Sequence, residues 1–580
     1  MKAKNIILCI AVVCMVVLTY SCEDMLDIKQ KATTDYSEYF SKDKIDECIA
    51  NCYSQWSHIV LTGFYTKAFL SDDTYTGGNA RNDNADYESL NEKTFSSAYS
   101  GFYDYMWGLY NLVYNANCII ENFGNYMDDA EVQKGMAEAH FFRAYAYLDL
   151  VSLWGTPEYV DHILGQDEFR QANGDRKKLW ELIISDLEYA INSDALTEKV
   201  LGDTESTIRV SKQAAQAYLG KALLYQATYD NPEFGNLNDG NHGWATYTID
   251  TDALLDKAVE NLDAVVDGGQ FDLIDDFSDL YHMEANYCDE YVLQTNNAAA
   301  LIGTNDSWSF YLAQLSVVTT TWRFQGSVFS PTTTGDFGSD YYTAGGYGFT
   351  QGVTKSYTVN GEQTCPYGLV DAFASSPGEE NSQRRLWTYR SWDEVQSMGV
   401  QSSGTAYGTS GYFNMKHIYR KSGGPSNYLG DMDLTGAYTS FAGSYANYPH
   451  MRYSEVLLMC AEANYLRGHS EKALSCINEI RERAGADAYT SIDMDKIKLE
   501  YQLELACEGH RYQNLVRWGD AATVMATQAK YIPTFTNGTS VSWYDNSASN
   551  SGFKSNKNEL LPIPSKEILV NPNVVQNPGY

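Results

Sequence analysis

One stretch of the sequence groups ionisable side chains within helical reach of one another. It reads LELACEGHRYQNLVRWGD, and its ionisable members include Glu504, Glu508, His510, Arg511 and Arg517. A zinc-protease helix needs two histidines four residues apart with a glutamate between them, and this stretch has a single histidine. We therefore interpret the group as ion pairs that hold a helix against its neighbours.

No other motif in the sequence points to catalysis. The chain has no GxSxG elbow, no Walker loop and no GxGxxG opening a helix, and its nine histidines lack ligand spacing. Adjacent acidic pairs such as Asp72 with Asp73 are common in so acidic a chain, and adjacency does not give the carboxylate separation that a glycosidase needs. The cysteines after Cys22 include no CxxC spacing, which favours small buried residues over a zinc site. We predict no catalytic residue.

The charge of the chain limits its ligands. Its 580 residues carry a formal net charge of −34, and phosphate binding needs basic patches, so nucleic acid is excluded as a ligand. The same charge argues against peripheral attachment to an anionic membrane surface. With 46 tyrosines, 11 tryptophans and 22 phenylalanines, the chain is rich in flat apolar rings. Neutral ligands such as sugars are compatible with this composition.

The N-terminus has the pattern of an export signal. Two lysines precede an apolar run from Ile6 to Leu18, which is shorter than the roughly 20 residues that a membrane-spanning helix needs. The run ends at LTYSCED, which resembles a bacterial lipoprotein signal whose cysteine is acylated and becomes the first mature residue. Residues 1–21 are then the signal peptide and Cys22 carries the lipid. The alternative is cleavage nearby that leaves Cys22 as a free thiol.

Apolar residues recur at helical spacing through much of the chain. The predicted helices cover residues 41–56, 99–123, 131–154, 179–192, 211–229, 251–267, 451–467, 470–484 and 493–518. Between the first two lies SDDTYTGGNARNDNADYES, a stretch dense in Gly, Asn and Asp that predicts a long exposed loop.

Several predicted helices form pairs joined by a tight turn. The clearest pair is CAEANYLRGHSEKALSCINEIRERAG, where Ala461, Gly468, Ala473 and Ile477 match the packing positions of a tetratricopeptide repeat. The middle of the chain is different, because it is rich in Gly, Ser, Thr and aromatic residues and has few helical patterns. So many aromatic residues favour a folded insert over disorder.

These patterns divide the chain into four parts. Residues 1–21 are the signal peptide, 22–288 an N-terminal helical region, 289–448 the irregular aromatic-rich insert, and 449–580 a C-terminal helical region with an extended tail. The predicted fold is mainly α, a tetratricopeptide-like scaffold of helical pairs that carries a loop-rich insert subdomain.

Four stretches carry a family resemblance. NELLPIPSKEILVNPNVVQNPGY closely resembles the C-terminal signature of SusD/RagB-family surface lipoproteins of Bacteroidetes, and HFFRAYAYLDLVSLWG, MRYSEVLLMCAEANYLRG and EGHRYQNLVRWG agree with the family in the same order. With the lipoprotein signal, the resemblance spans essentially the whole mature chain. We interpret the four stretches as packing motifs, in which Pro562 and Pro564 fix an extended tail that lies on the helices.

The resemblance implies a function class. Family members look like non-catalytic capture proteins, lipid-anchored at the outer membrane, that hold oligosaccharides (in some members peptides) over a TonB-dependent SusC-like transporter. The leading expectation is therefore a glycan-binding lipoprotein, anchored through Cys22 and facing the cell exterior, that needs no cofactor. Peptide capture by the same scaffold and an acidic glycoside hydrolase are the alternatives.

The resemblance also points to ligand-binding regions. Starch-binding relatives draw an aromatic arc, with arginine and asparagine contacts, from an early loop and from the insert. The corresponding loops here offer the candidates Asp72, Asp73, Tyr75, Asn79, Arg81, Asn82, Trp308, Tyr311, Trp322, Tyr341 and Tyr342. Packing inside the insert is the alternative for its aromatics. Asp431 and Asp433 are candidate calcium ligands, with a solvated acidic turn as the alternative.

Overall fold

Helices dominate the part of the chain that the computed structural model describes. It describes residues 39–580 except 77, 79, 84, 297–328, 332–351, 398–399, 403, 417–431, 434–442 and 445. Within these residues the helices are α1 (Ile45–Phe69), α2 (Ala85–Glu92), α3 (Ser100–Asn122), α4 (Ala130–Trp154), α5 (Arg176–Asn192), α6 (Lys212–Tyr229), α7 (Thr251–Gly268), α8 (Leu369–Ser375), α9 (Gln383–Thr388), α10 (Trp392–Ser397), α11 (Tyr453–Leu466), α12 (Ser470–Ala484), α13 (Met494–Glu504), α14 (Arg511–Arg517), α15 (Ala521–Val524) and α16 (Ser565–Val570).

The strands are short and form small antiparallel sheets. They are β1 (Tyr291–Thr295), β2 (Phe329–Pro331), β3 (Tyr357–Val359), β4 (Glu362–Thr364), β5 (Tyr389–Ser391), β6 (Val400–Ser402), β7 (Thr405–Tyr407), β8 (Tyr412–Asn414), β9 (Met432–Asp433), β10 (Gly443–Ser444), β11 (Tyr448–Arg452), β12 (Tyr531–Thr536) and β13 (Ser540–Asp545). The hairpin β12–β13 adds β7 to make a three-stranded sheet, and β1 pairs with β11. The C-terminal region thus shares sheets with the middle of the chain.

The long helices stack on one another in chain order. Helix α1 packs on α3, and α3, α4, α5 and α6 each pack on the next helix along the chain. Helix α11 then packs on α7 and pairs with α12, so one apolar core runs through both helical regions. The predicted mainly α scaffold of helical pairs is confirmed, and the four-part division of the chain stays a prediction.

Side chains at the helix ends explain several boundaries. The carboxylates of Asp129, Asp175 and Asp250 and the hydroxyl of Ser211 accept backbone N–H groups at the starts of α4, α5, α7 and α6. Such caps satisfy donors that have no partner within the helix. Helix α4 ends at Gly155, where φ is +82° and a Cβ would meet the Trp244 ring at 2.8 Å.

Three helix predictions need correction. Helix α1 continues to Phe69 rather than ending near residue 56, and α2 begins inside the stretch predicted as a loop. The helix predicted over residues 493–518 is two helices, α13 and α14. Cys507 and Gly509 between them have φ of +63° and +87°, and a helix cannot continue through that region of backbone space.

The C-terminal tail lies on the helices, as predicted. The Trp154 indole Nε1 donates to the Pro562 carbonyl at 3.1 Å, and the Leu561 N–H donates to the Leu153 carbonyl at 2.7 Å. The Asn577 side-chain amide also donates to the Trp154 carbonyl, at 3.0 Å. The tail thereby satisfies carbonyl groups at the end of α4.

A buried charge network joins the middle of the chain to the helical scaffold. Its members are five cations and five carboxylates: Arg384, Lys416, Arg452, Arg481, Arg483, Glu290, Glu379, Glu500, Glu504 and Glu508. Each of these ten side chains is at most 7% exposed. Balanced, paired charges of this kind avoid the cost of isolated buried ions. The ion pairs expected around residues 503–520 are therefore present, with partners on other elements.

Candidate functional site

The early loop, residues 71–84 between α1 and α2, lies against the middle of the chain. Thr74 and Val353 form an antiparallel bridge, and Gly78 forms another with Tyr407. These contacts bring together parts of the two regions to which the sequence resemblance assigns ligand binding. The early loop is therefore positioned by strands from the insert as well as by the helices that flank it.

Asp72 and Asp73 lie at the base of the early loop and contact the C-terminal helices. The Asp72 carboxylate accepts hydrogen bonds from Nε and Nη2 of Arg511 at 2.9 and 3.2 Å. Asp73 Oδ1 accepts from Gln502 Nε2 at 3.2 Å. Both aspartates are buried, and burial together with the charge of Asp72 raises the pKa of Asp73 to about 7. These two candidates hold the loop base in place.

Tyr75 and Arg81 also contact neighbouring protein groups. The buried Tyr75 hydroxyl lies 3.0 Å from Cys365 Sγ. Arg81 Nη1 donates to the Tyr407 hydroxyl at 3.0 Å, and the guanidinium lies 4.5 Å from the centre of the Tyr544 ring. Arg81 therefore connects the early loop to the sheet formed by β7, β12 and β13. Its cation–π geometry keeps one face of Tyr544 covered.

Asn82 opens onto a surface cleft. The residue is exposed, and its backbone has φ of +66°, a conformation that Asn adopts more readily than most residues. Its backbone N–H donates to Glu88 Oε1 at 2.9 Å. This contact with α2 turns the chain so that Asn82 lines the cleft.

The cleft lies between the ends of α1, α2 and α3 and has a volume of about 490 Å³. We call it the tyrosine cleft. Three aromatic rings and six polar side chains line it: Tyr65, Tyr87, Tyr99, Thr62, Asn82, Asp83, Asp86, Ser100 and Asp104.

Close packing fixes the rings of the tyrosine cleft. The Tyr65 and Tyr87 ring centres are 4.8 Å apart, and Tyr99 meets Phe102 edge-on at 4.8 Å. A Cβ at Gly101 would lie 2.5 Å from the Tyr99 ring, so the ring occupies space that only glycine leaves. Burial raises the pKa of Tyr87 to about 12, which keeps its hydroxyl neutral. The walls are therefore preformed, as in many ligand pockets.

The lining of the cleft suits a neutral, hydroxyl-rich ligand. Rigid aromatic side chains supply contact area at low entropic cost, and carboxylates such as Asp86 and Asp104 accept hydrogen bonds from hydroxyl groups. Three aspartates in one cleft disfavour an anionic ligand because like charges repel. The chemistry offered is binding by ring stacking and hydrogen bonding.

Sequence reasoning missed the tyrosines of the cleft. Tyr65 lies in the part of α1 beyond its predicted end, and Tyr87 lies in α2, within the stretch read as loop. Tyr99 sits just before α3, where the sequence predicts only a helix boundary. The adjacent Asp86 and Tyr87, within the stretch for which the resemblance implies ligand contacts, are the available signal.

Other candidates lie outside the described residues or are described only in part. Asp433 ends β9, opposite Gly443 of β10. The ligand, lipid and calcium roles given to these residues stay predictions. Those outside are Cys22, Asn79, Trp308, Tyr311, Trp322, Tyr341, Tyr342 and Asp431.

Metal clusters and membrane spans are not found in the described segments. There, no group of three or more His, Cys, Asp or Glu side chains is placed to hold a metal ion. None of the helices there combines the length and the apolar character that crossing a membrane requires.

The fold is shared with solved structures. A laminarin-binding SusD-like protein superposes with a TM-score of 0.67 at 22% identity, over 93% of this chain and 100% of that one. Surface glycan-binding protein A from Bacteroides thetaiotaomicron, in complex with laminarihexaose, gives a TM-score of 0.63 at 20% identity, over 92% and 99% of the two chains.

Sequence comparison agrees with the structural likeness. SusD-like protein P2 of Formosa agariphila is 25% identical over 81% of this chain and 79% of its own length. The family model for starch-binding proteins associating with the outer membrane matches residues 24–224, and the model for the SusD family matches residues 310–580. The two matches cover most of the chain in the expected order, and the chain belongs to the SusD/RagB family.

Proposed function

We propose that this protein binds a glycan at the cell surface and does not cleave it. The observation that carries the proposal is the tyrosine cleft, where the partly exposed Tyr87 and Tyr99 form aromatic walls, backed by the buried Tyr65, beside Asn82 and three aspartates. Flat rings match the C–H faces of sugars, and the polar groups match their hydroxyls. Structural neighbours named for binding laminarin or laminarihexaose support the same ligand class.

The proposed ligand site includes the early loop and the insert. The bridge between Gly78 and Tyr407 fixes the early loop against a strand of the insert. The insert aromatics Trp308 and Trp322 are proposed as further stacking contacts with the glycan. A loop held on two sides loses little entropy when the ligand binds, which favours affinity.

We further propose that the protein is tethered to the outer face of the outer membrane through an acylated Cys22. It would pass its glycan to a TonB-dependent SusC-like transporter. The LTYSCED sequence supports the tether, and the family model that names association with the outer membrane supports the location. No cofactor is part of the proposal, so chelating calcium should leave glycan binding unchanged.

The test is affinity electrophoresis of the mature chain in gels that contain laminarin, soluble starch, xyloglucan or mannan. Calorimetry then gives the Kd for any polysaccharide that retards it. The combined variant Asn82→Gly and Tyr87→Ala should weaken binding about tenfold or more, because it removes a hydrogen-bonding group and a ring. Glycine is chosen at position 82 because it tolerates the positive φ there. Phe169→Ala, which truncates an exposed ring on another loop, should bind like the wild type.

Three results would change the proposal. Wild-type affinity in the Asn82→Gly, Tyr87→Ala variant would remove the cleft from the ligand site, and the paired variant Trp308→Ala, Trp322→Ala then tests the insert alone. Binding of peptides but of no polysaccharide would favour peptide capture. Release of shorter sugars at high protein concentration would show a glycoside hydrolase and contradict the non-catalytic role.

A further inference from the structure

Two aromatic residues stand out on the surface of α3. Trp107 and Tyr114 are each 55% exposed. They are seven residues apart, which places them on one face of the helix about 10.5 Å from each other along its axis. The opposite side of α3 supplies core residues such as Leu109 and Leu112, which are fully buried. The apolar packing of α3 is therefore complete without the two exposed rings.

This face of α3 is continuous with the tyrosine cleft. Ser100 and Asp104 occupy the same helical face, seven and three residues before Trp107, and both line the cleft. Asn111 lies between the two exposed rings, four residues after Trp107 and three before Tyr114. Polar and aromatic side chains thus alternate from the mouth of the cleft along the helix.

We propose that the α3 face, defined by Asp104, Trp107, Asn111 and Tyr114, is a second binding track for the same glycan. This proposal rests on the proposed function and extends it to the size of the ligand. A linear chain of neutral hexoses longer than the cleft leaves it beside Asp104 and lies along α3. Two of its rings stack on Trp107 and Tyr114, and intervening hydroxyls bond to Asp104 and Asn111.

The spacing and the mixed chemistry of the face favour a sugar chain. The separation of the two rings along the helix axis is comparable with the length of a disaccharide in an extended chain. A protein-docking patch is usually contiguous and apolar at its centre with a polar rim. Here the polar Asn111 lies between the two rings, and Asp104 lies beside Trp107. Trp and Tyr have few rotatable bonds, so holding them against a ligand costs little entropy.

The test compares long and short ligands on one double variant. Trp107→Ala with Tyr114→Ala is made in the mature chain and titrated with laminarin, soluble starch, xyloglucan and mannan, and with the disaccharide unit of each, which is short enough to stay within the cleft. Affinity for the bound polymer should fall about tenfold for each ring removed. Binding of the disaccharide in the cleft should stay within about twofold of the wild type. Both rings are more than half exposed, so circular dichroism should show an unchanged fold, and Phe169→Ala is again the matched control.

Each of the other outcomes contradicts the α3 track, the glycan-binding proposal or both. Unchanged polymer affinity in the double variant, with weakened binding by Asn82→Gly, Tyr87→Ala, removes the α3 track and leaves glycan capture intact. Absence of polysaccharide binding by the wild type removes both. Unchanged polymer affinity together with lost association with the transporter would assign the α3 face to protein docking and also overturn the track.

Discussion

Replacing Glu504 with glutamine should strongly destabilise the protein, because this carboxylate lies at the centre of the buried charge network. Glu504 Oε1 lies 3.0 Å from Arg452 Nη1, and Glu504 Oε2 lies 3.1 Å from Arg384 Nη1. Arg483 makes a further ion pair with the same side chain, which is fully buried. Burial alone would raise the pKa of Glu504, but the charges of Arg483, Arg452 and Arg384 hold this pKa well below its ordinary value.

The size of the effect follows from the charge balance. The network holds five cations against five carboxylates, and Glu504→Gln leaves the cations in excess without changing the shape of the side chain. Removing one partner from a buried ion pair costs about 3–5 kcal/mol, since the remaining charge cannot regain its water. That is a large share of the roughly 5–15 kcal/mol by which folded domains are stable.

Urea unfolding at pH 7, followed by tryptophan fluorescence, measures the change in the free energy of unfolding. Glu471→Gln, an exposed residue on α12, is the matched control and should stay within about 0.5 kcal/mol of the wild type. The folded-state pKa of Glu504 is depressed, so its contribution is present above its ordinary pKa and is lost as pH falls through the folded value. The gap between wild type and variant should therefore narrow below about pH 4.

Two results would refute this account of Glu504. A loss smaller than about 1 kcal/mol at pH 7 would mean that the three arginines find water or other partners when the charge is removed. A gap that stays constant down to pH 3 would mean that the effect comes from packing and not from charge.

Three further predictions concern single residues. Gly101→Ala should weaken glycan binding by the cleft several-fold in calorimetry, since the new Cβ would meet the Tyr99 ring at 2.5 Å. The thermal midpoint should stay equal or rise, because alanine favours the helix. Burial, with the charge of Lys67 nearby, holds the pKa of His450 well below its ordinary value. Stability should therefore fall by up to about 1.4 kcal/mol per pH unit as pH drops below 6.5, where the unfolded chain binds the proton, and His450→Asn should reduce that slope in urea titrations. Cys22→Ala should abolish lipid labelling and release the protein from the membrane fraction; continued anchoring would contradict the lipoprotein assignment.

The helical scaffold was predictable from the sequence because its signals are local. Apolar periodicity and small residues at turns such as Gly468 reveal helices and their pairs without knowledge of the rest of the chain. The break between α13 and α14 was not predictable in this way. Cys507 takes a positive φ of 63°, which is rare for a residue with a side chain, and contacts distant in sequence hold it there.

The residues of the proposed ligand site were harder to predict because burial of a loop residue depends on distant partners. Asp72 and Asp73 stand in a stretch that reads as exposed, yet Arg511 and Gln502, more than four hundred positions later, cover them. Asn82 stands in the same stretch and does line the tyrosine cleft. Nothing local distinguishes these cases, because each is a polar residue in a stretch dense in glycine, asparagine and aspartate.

The segment between α13 and α14 connects the buried charge network to the base of the early loop. Glu504 and Glu508 belong to the network, whereas the Cys507 N–H lies 3.5 Å from Asp73 Oδ2 and Arg511 bonds to Asp72. Because the turn at residues 505–510 interrupts the helix, neighbouring residues can face different partners. A continuous helix would bring residues 504, 508 and 511 to one face. Charge imbalance from Glu504→Gln should therefore loosen the base of the early loop as well as the insert. Compared with the wild type, Glu504→Gln should therefore speed amide exchange more in residues 71–76 than in α4, and it should weaken glycan binding.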